Sequence, residues 1–383
     1  MFWKYLLFEL KLLLSNRKNW LLGLALLLYF PLYFLIYSQN EFETLKEKKK
    51  EEAVGFDTIF FNFPDTLRET PEGKEIYNNF TEQVSLINMQ RFFLTRSEDD
   101  QYIDNGLKLN ELRLHIHGVG NKGVPSHLVV PKVEIFKEDA LLSYNKKHQL
   151  PLQPDPFVAS NYMPVALNEI SGLIFCLFVL IAGSGMLAHE QQNRSVVSGF
   201  PISVMKKING KVFIYFIQIY LFLIFGLLLG GIYVSQKTGI GDFTSPVLLF
   251  QNGDFIAVST IRYLAYMLVA LALITLLLLY GTALLNLLIK NVYATVLILI
   301  VVFFLPDLLD TTGIKTTLLH PIKYIEIGAV FSGNLAEVFG NDKLDYKHAF
   351  VWLIALNLIV LAILYGRNKL MHMRKADTSI KLI

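Results

Sequence analysis

Long runs without charge recur along the chain, separated by stretches of ordinary polar composition. A helix needs about 20 apolar residues to cross a bilayer core. On that measure the runs predict six membrane helices, at residues 19–37, 165–188, 212–234, 261–285, 292–309 and 349–366. The fifth reaches span length only by running past Pro306 into Asp307 to Leu309, and no strong turn signal fixes the short stretch at 286–291 that divides it from the fourth. Ahead of the first run, residues 1–18 place Trp3, Leu6, Leu7, Leu10, Leu13 and Leu14 on one helical face, with Lys4, Lys11 and Ser15 opposite. That pattern predicts an elbow helix lying along the membrane interface. Pro31 is expected to kink the first span. Tyr33 to Asn40 offers no small-residue cleavage site, so this span reads as an uncleaved anchor.

Residues 38–164 have soluble composition and are long enough for a domain between the first two spans. The charge run Glu41 to Glu52 reads as a solvated helical extension of the first span. Gly73 to Leu94 carries Ile76, Phe80, Val84 and Ile87 at helical spacing, whereas Leu107 to His117 alternates as a strand does. The segment 149–164, rich in proline, reads as a stiff linker into the second span. The fold class expected is therefore an all-α polytopic membrane protein with an elbow helix, six transmembrane helices and an inserted extracytoplasmic domain, α+β or mostly helical. The remaining parts are a cytoplasmic loop at 189–211, an outer loop at 235–260, an outer segment at 310–348 and a basic tail at 367–383.

Composition agrees with this class. Of the 383 residues, 53% are hydrophobic and only 17% charged, against about 25% charged in soluble domains; the mean hydropathy is +0.44. A net charge of +3 with no clustered basic face argues against nucleic acid as a partner. With both termini inside, basic residues such as Lys4, Lys11, Arg17, Lys18, Lys206 and Lys207 gather on the cytoplasmic side, where only Glu9, Glu190 and Asp377 oppose them. The outer side is then acidic. The single cysteine, Cys176, lies in an apolar run, so the outer domain has no internal disulfide. A multi-pass protein of a bacterial cytoplasmic membrane fits these features.

The chemistry-bearing patterns are few. There is no phosphate loop, no G-x-S-x-G elbow and no H-E-x-x-H helix. The expected spans hold only modest polar groups such as Ser184, Gln218, Thr275 and Asn357, which disfavours ion-coupled transport and intramembrane hydrolysis. Glu169 and Arg262 stand at span ends, where headgroup pairing outweighs an external gate. His115 and His117 would share a face of the expected strand near His127, but without cysteine or a placed carboxylate a metal site is disfavoured and none is expected. No catalytic residue is expected, and energy for any transport must come from another subunit.

The most unusual cytoplasmic stretch runs from Ala188 to Val212. Its charged start, with Glu190 and Arg194, passes through Ser195, Ser198 and a Gly199 to Pro201 break into a second short helix. Ser203 caps that helix, which is expected to end at Gly210 and Lys211. This pattern resembles the cytoplasmic loop of type 2 ABC transporter permeases, in which a Glu-containing stretch precedes a coupling helix with a Pro-Ile-Ser-like motif and a lysine before the third span. The matching residues are Glu190, Arg194, Ser195, Ser198, Pro201, Ile202, Ser203 and Lys211; Arg194-Ser195 replaces the family's usual Gly-Thr. The elbow helix, the large outer insertion, and His320 to Tyr324 before the last span match the same layout.

The resemblance implies a permease subunit of an ABC exporter that uses ATP and Mg bound by a separate ATPase subunit, with a second permease subunit and membrane lipid as further partners. It implies polar contacts to the ATPase from Glu190 and Arg194 and apolar ones from Val204, Met205 and Ile208. The substrate would be an amphipathic, lipid-like or peptide molecule moved outward. Gly226 and Gly230 form a close-approach motif that fits either a dimer contact or packing within the subunit. The alternative function is a membrane receptor or scaffold whose outer domain senses a ligand and signals to a cytoplasmic partner.

Overall fold

The computed structural model describes residues 2–152, 155–187, 201–289, 291–310 and 319–380. Helix dominates. Among the described residues, four helices are long and apolar enough to cross a membrane: Arg17–Tyr37 (α2), Val204–Thr238 (α10), Thr260–Ile289 (α11) and the Tyr346–Leu370 part of Tyr346–Ile380 (α16). A bent pair, Ala159–Ile170 (α8) and Leu173–Ser184 (α9), makes a fifth when taken as one span. The apolar stretch Val292–Pro306 within Val292–Asp310 (α12) falls short of span length. The chain is thus a multi-pass, predominantly helical membrane protein.

The N-terminal helix Phe2–Ser15 (α1) buries Tyr5, Leu6 and Leu13 while Trp3, Leu7, Leu10 and Leu14 stay exposed. One apolar stripe meets the protein and the other is exposed. Asn16 then breaks and restarts the chain, its side chain accepting from the Lys18 backbone N–H at 3.0 Å. The turn into α2 is therefore capped.

Helices α2 and α10 form the closest pairing in the membrane region. A Cβ at Gly230 would lie 2.5 Å from Phe30 Cβ, and one at Gly226 would lie 2.9 Å from the Leu26 carbonyl oxygen. No side chain fits at either position. In a bilayer, where apolar burial gives helices little reason to associate, such backbone approach is the main source of attraction. Gly226 and Gly230 thus serve packing inside the subunit. Tyr162 of α8 closes the same seam, its hydroxyl donating to the Phe30 carbonyl oxygen.

The second span is not straight. The axes of α8 and α9 meet at 62°, and the break falls at Ser171 and Gly172, where Gly172 has φ 94°. That backbone conformation suits glycine. The linker expected up to Pro164 is shorter than the sequence suggested, because α8 already begins at Ala159 and carries Pro164 inside it. Between α10 and α11 the outer loop contains a feature missed in the sequence: the antiparallel hairpin Pro246–Gln251 (β1) and Asp254–Ser259 (β2). Its turn is Asn252-Gly253, with φ 51° and 84°, a strong two-residue hairpin signal. The carboxylate of Asp345, fully buried, accepts from the Asn252 backbone N–H at 3.0 Å and from that of His348 at 2.8 Å. One side chain fastens the hairpin tip to the start of α16. Three short helices, His320–Lys323 (α13), Ile327–Phe331 (α14) and Asn334–Phe339 (α15), fill the outer segment before it.

Residues 45–148 build a helical unit, expected on the outer side and called the outer unit, from Leu45–Asn62 (α3), Asp65–Arg68 (α4), Pro71–Arg96 (α5), Asp99–Gly118 (α6) and Lys132–His148 (α7). Its core gathers Phe56, Ile59, Phe63, Ile76, Phe80, Ile87, Leu109 and Ile116. The expected strand at 107–117 is helix instead. Leu109, Leu112 and Ile116 share a helical face as well as alternating, and Asp99 and Asp100 favour a helix start through its dipole. His115 and His117 consequently diverge: His115 faces Glu75 at 3.4 Å, while His117 Nε2 bonds the Val130 carbonyl oxygen at 2.8 Å.

The charge run at 41–52 is mostly exposed, as a solvated helix would be, but it does not extend the first span. Helix α2 stops at Tyr37, and Thr44 and Glu47 start α3 with a reciprocal capping box. Lys49, only 1% exposed, bonds Glu52 and Glu138 at 3.0 Å each. Arg113 bonds the same two carboxylates at 2.9 and 3.0 Å. Two cations and two anions close a ring that joins α3, α6 and α7. Burial pushes the Glu138 carboxyl up, but Lys49 and Arg113 beside it outweigh this and hold it below the usual carboxylate range. Helix α7 also rests on the hairpin, with Lys137 Nζ 5.2 Å from the centre of the Phe255 ring. The outer unit thereby sits on the membrane part through a defined contact.

Two outcomes follow from this packing. Gly230→Leu is expected to cost about 1–3 kcal/mol by overpacking, read as a lower thermal unfolding midpoint in detergent; unchanged stability would place the motif between copies instead. For Glu138, the folded carboxyl titrates below its unfolded value near 4.3, so its contribution is present above that pH and is lost as pH falls through the folded value. Thermal stability of the outer unit should therefore drop between about pH 5 and pH 3, and Glu138→Gln should be less stable at neutral pH with a flatter acid limb. Parallel acid limbs would contradict the assignment.

Candidate functional site

Of the residues that carry the resemblance, Pro201, Ile202, Ser203 and Lys211 are described, at and just after the start of α10. Ser203 opens α10, its hydroxyl accepting from the Lys206 backbone N–H at 3.4 Å. The expected short helix does not stop at Gly210 and Lys211. It continues without a break into the third span, giving one helix of 35 residues and about 50 Å. Gly210 is a contact point rather than a terminator: a Cβ there would lie 3.0 Å from Leu6 and 3.5 Å from Phe2 and Tyr5, all on α1.

The next residue, Lys211, points into the same contact. Its side chain is 1% exposed and donates to Glu9 Oε2 at 2.7 Å, with Glu9 itself 7% exposed. A lysine beside a membrane would ordinarily snorkel to water. Here it is held by a carboxylate 202 positions away in sequence. Removing one partner of such a pair leaves a buried charge uncompensated, at a cost of about 3–5 kcal/mol.

The end of α9 is fastened as firmly. Lys18 Nζ donates to the Ile181 carbonyl oxygen at 2.7 Å and to Ser184 Oγ at 3.3 Å. A cation there suits the negative end of a helix dipole. Asn286 donates to the Ser184 carbonyl oxygen at 2.9 Å, and Thr295 donates to Asn286 Oδ1 at 2.9 Å. Arg367 donates to the Leu287 carbonyl oxygen at 2.6 Å. Polar side chains thus tie the inner ends of α2, α9, α11, α12 and α16 into one rim.

Of the residues singled out in the sequence, Glu190, Arg194, Ser195 and Ser198 lie outside the described residues. Pro201 and Ser203 are exposed and Ile202 half-buried. Among the three apolar residues expected to meet a partner, only Val204 is exposed, at 39%. Met205 and Ile208 are buried in the membrane core of the chain itself, because the α10 face that carries them turns inward. Glu169 and Arg262 are exposed. Sequence reasoning missed Glu9 and Lys18. Each is a charged residue beside an apolar run, a signal that marks a helix end without naming its partner.

Among the described residues no group of three or more His, Cys, Asp or Glu side chains is placed to hold a metal ion. No protein family, no curated protein and no solved structure matches the chain.

The ion pair makes a specific prediction. Glu9→Lys and Lys211→Glu should each lower the thermal midpoint in detergent, and the double exchange should recover a substantial part of the loss. Additive losses in the double variant would show that the two side chains do not depend on each other.

Proposed function

We propose that this chain is the membrane-spanning permease subunit of an ATP-driven exporter of the type 2 ABC class, moving an amphipathic, lipid-like or peptide substrate outward. The observation that supports it is the two-sided anchoring of the cytoplasmic stretch between α9 and α10. Its upstream end is held by Lys18 and Asn286, and its downstream end by Glu9 through Lys211. A load applied at either flank of that stretch is delivered to two membrane helices and to the N-terminal helix together. That is the mechanical requirement for an ATPase acting from below.

In this reading the ATPase binds ATP and Mg, and this chain carries no catalytic residue. Glu190 and Arg194 make polar contacts with the ATPase; Pro201, Ile202 and Ser203 shape the entry to α10; Val204 supplies the apolar contact. Met205 and Ile208 transmit rather than touch, because they are packed inside. A second permease subunit, identical or related, completes the pathway, and both termini lie on the cytoplasmic face of a bacterial plasma membrane.

The receptor reading shares the outer unit and differs in what the cytoplasmic stretch meets. Glu190→Lys and Pro201→Ala separate the two. Each is expected to abolish stimulated ATP hydrolysis in the assembled complex while membrane insertion and thermal stability stay at wild-type levels. Normal hydrolysis and transport in both variants would remove the coupling assignment.

A further inference from the structure

The outer unit encloses a cavity of about 370 Å³ that neither the membrane helices nor the cytoplasmic rim uses. Its size falls in the range of pockets that hold small organic ligands, roughly 300–1,000 Å³. Phe56, Ile59, Phe80, Ile116 and Leu128 form its apolar walls. Helices α3, α5 and α6 supply most of them, and the irregular strap at 119–131 closes the remaining side.

The polar groups in the wall are already engaged. Arg113 and Glu52 belong to the closed ring of two cations and two anions. Gln83 donates to Asn79 Oδ1 at 2.6 Å. His117 uses both ring nitrogens, Nε2 on the Val130 carbonyl oxygen at 2.8 Å and Nδ1 with Asn121 at 3.2 Å. These last bonds hold the strap against α6. The cavity therefore offers mostly apolar surface, its ring and histidine side chains being engaged with one another. Lys48, Glu51 and His127 are exposed among its lining groups, so charge of both signs meets water rather than the interior.

Such a wall discriminates between ligands. An extended peptide would bring backbone N–H and C=O groups that need partners all along its length, and α3, α5 and α6, which form most of the wall, spend theirs within their own helices. Burying them unpaired would cost more than the side chains return. A hydrocarbon chain brings no such groups and gains about 0.8 kcal/mol per buried CH₂.

We propose that this cavity binds a linear acyl chain whose polar end stays at the exposed mouth. The chain belongs either to a free fatty acid or to a membrane lipid. The inference rests on the outer unit alone and holds with or without an ATPase partner.

The test uses the full chain in lipid nanodiscs and two photoreactive probes. One is palmitic acid bearing a diazirine on the chain; the other is phosphatidylglycerol bearing the same chain. After irradiation, adducts are mapped by mass spectrometry. Saturable labelling of peptides covering residues 52–60, 80–87 and 113–131, competed by unlabelled palmitate, is the expected result. Labelling by the first probe alone identifies a free acid, and labelling by the second identifies a lipid chain.

Two variants fill the cavity from different sides. A Cβ at Gly55 meets only Leu128, at 3.6 Å, so Gly55→Phe projects into the space, and Leu128→Trp does so from the strap. Each should weaken half-saturation of outer-unit labelling by about tenfold without changing adducts in the membrane helices, which report intact protein. Labels confined to the membrane helices, unsaturable labelling, undiminished labelling in both variants, or competition by an apolar peptide but not by palmitate would each overturn the proposal.

Discussion

The buried pair Glu9 and Lys211 is the contact on which the end of the molecule formed by α1 and the start of α10 depends. It holds a surface helix to the first part of a membrane helix at a level where neither charge has ready access to water. Its geometry forces α1 to lie across α10, and Gly210 allows that approach by leaving no side chain between them. Glycine then does the corresponding work one helix over, where Gly226 and Gly230 bring α2 against α10. The long helix is consequently gripped from two sides, and movement at its cytoplasmic start cannot be local to it.

Polar side chains elsewhere follow the same economy. Inside a bilayer an unpaired polar group is expensive, and several of this chain's polar side chains sit at helix ends, where they close a carbonyl of another helix. Lys18, Asn286 and Arg367 do this on the inner rim. At the opposite end Asp345 instead accepts from backbone N–H groups, pinning the hairpin turn to the start of α16. The outer unit stands on that hairpin through α7, and its own ionic ring keeps three of its helices in register. A continuous set of contacts thus runs from the outer unit, through the hairpin, to the two helices that the hairpin joins.

Much of the membrane architecture was legible in the sequence because charge-free runs report span positions directly. The N-terminal helix was legible from its apolar spacing, but not that Leu6 and Leu13 pack inward while Leu10 stays exposed. What the sequence hid were pairings. Lys49 sits in a run of lysines and glutamates that looks solvated, and only its partner Glu138, far along the chain, shows that it is buried. Lys211 looked like a helix end because Gly210 precedes it, yet that glycine marks a crossing helix. Leu107 to His117 satisfies both a period of two and a period near 3.6, and packing of Leu109 and Ile116 in the outer core decided for helix. The hairpin had a readable signature in Asn252-Gly253, overlooked because the surrounding loop lies between two dominant apolar runs. At the candidate site, the capping role of Ser203 was legible, whereas the inward turn of Met205 and Ile208 depends on neighbours that no local pattern names.

The central claim is that the anchored cytoplasmic stretch receives force from a separate ATPase. The most direct measurement is affinity purification of the tagged chain from its native membrane in mild detergent, followed by mass spectrometry of the proteins retained. The account predicts a stoichiometric soluble subunit carrying a phosphate-binding loop, lost when the stretch from Glu190 to Ser198 is replaced. Recovery of the intact chain without any ATPase, under conditions that preserve other membrane complexes from the same preparation, would contradict it.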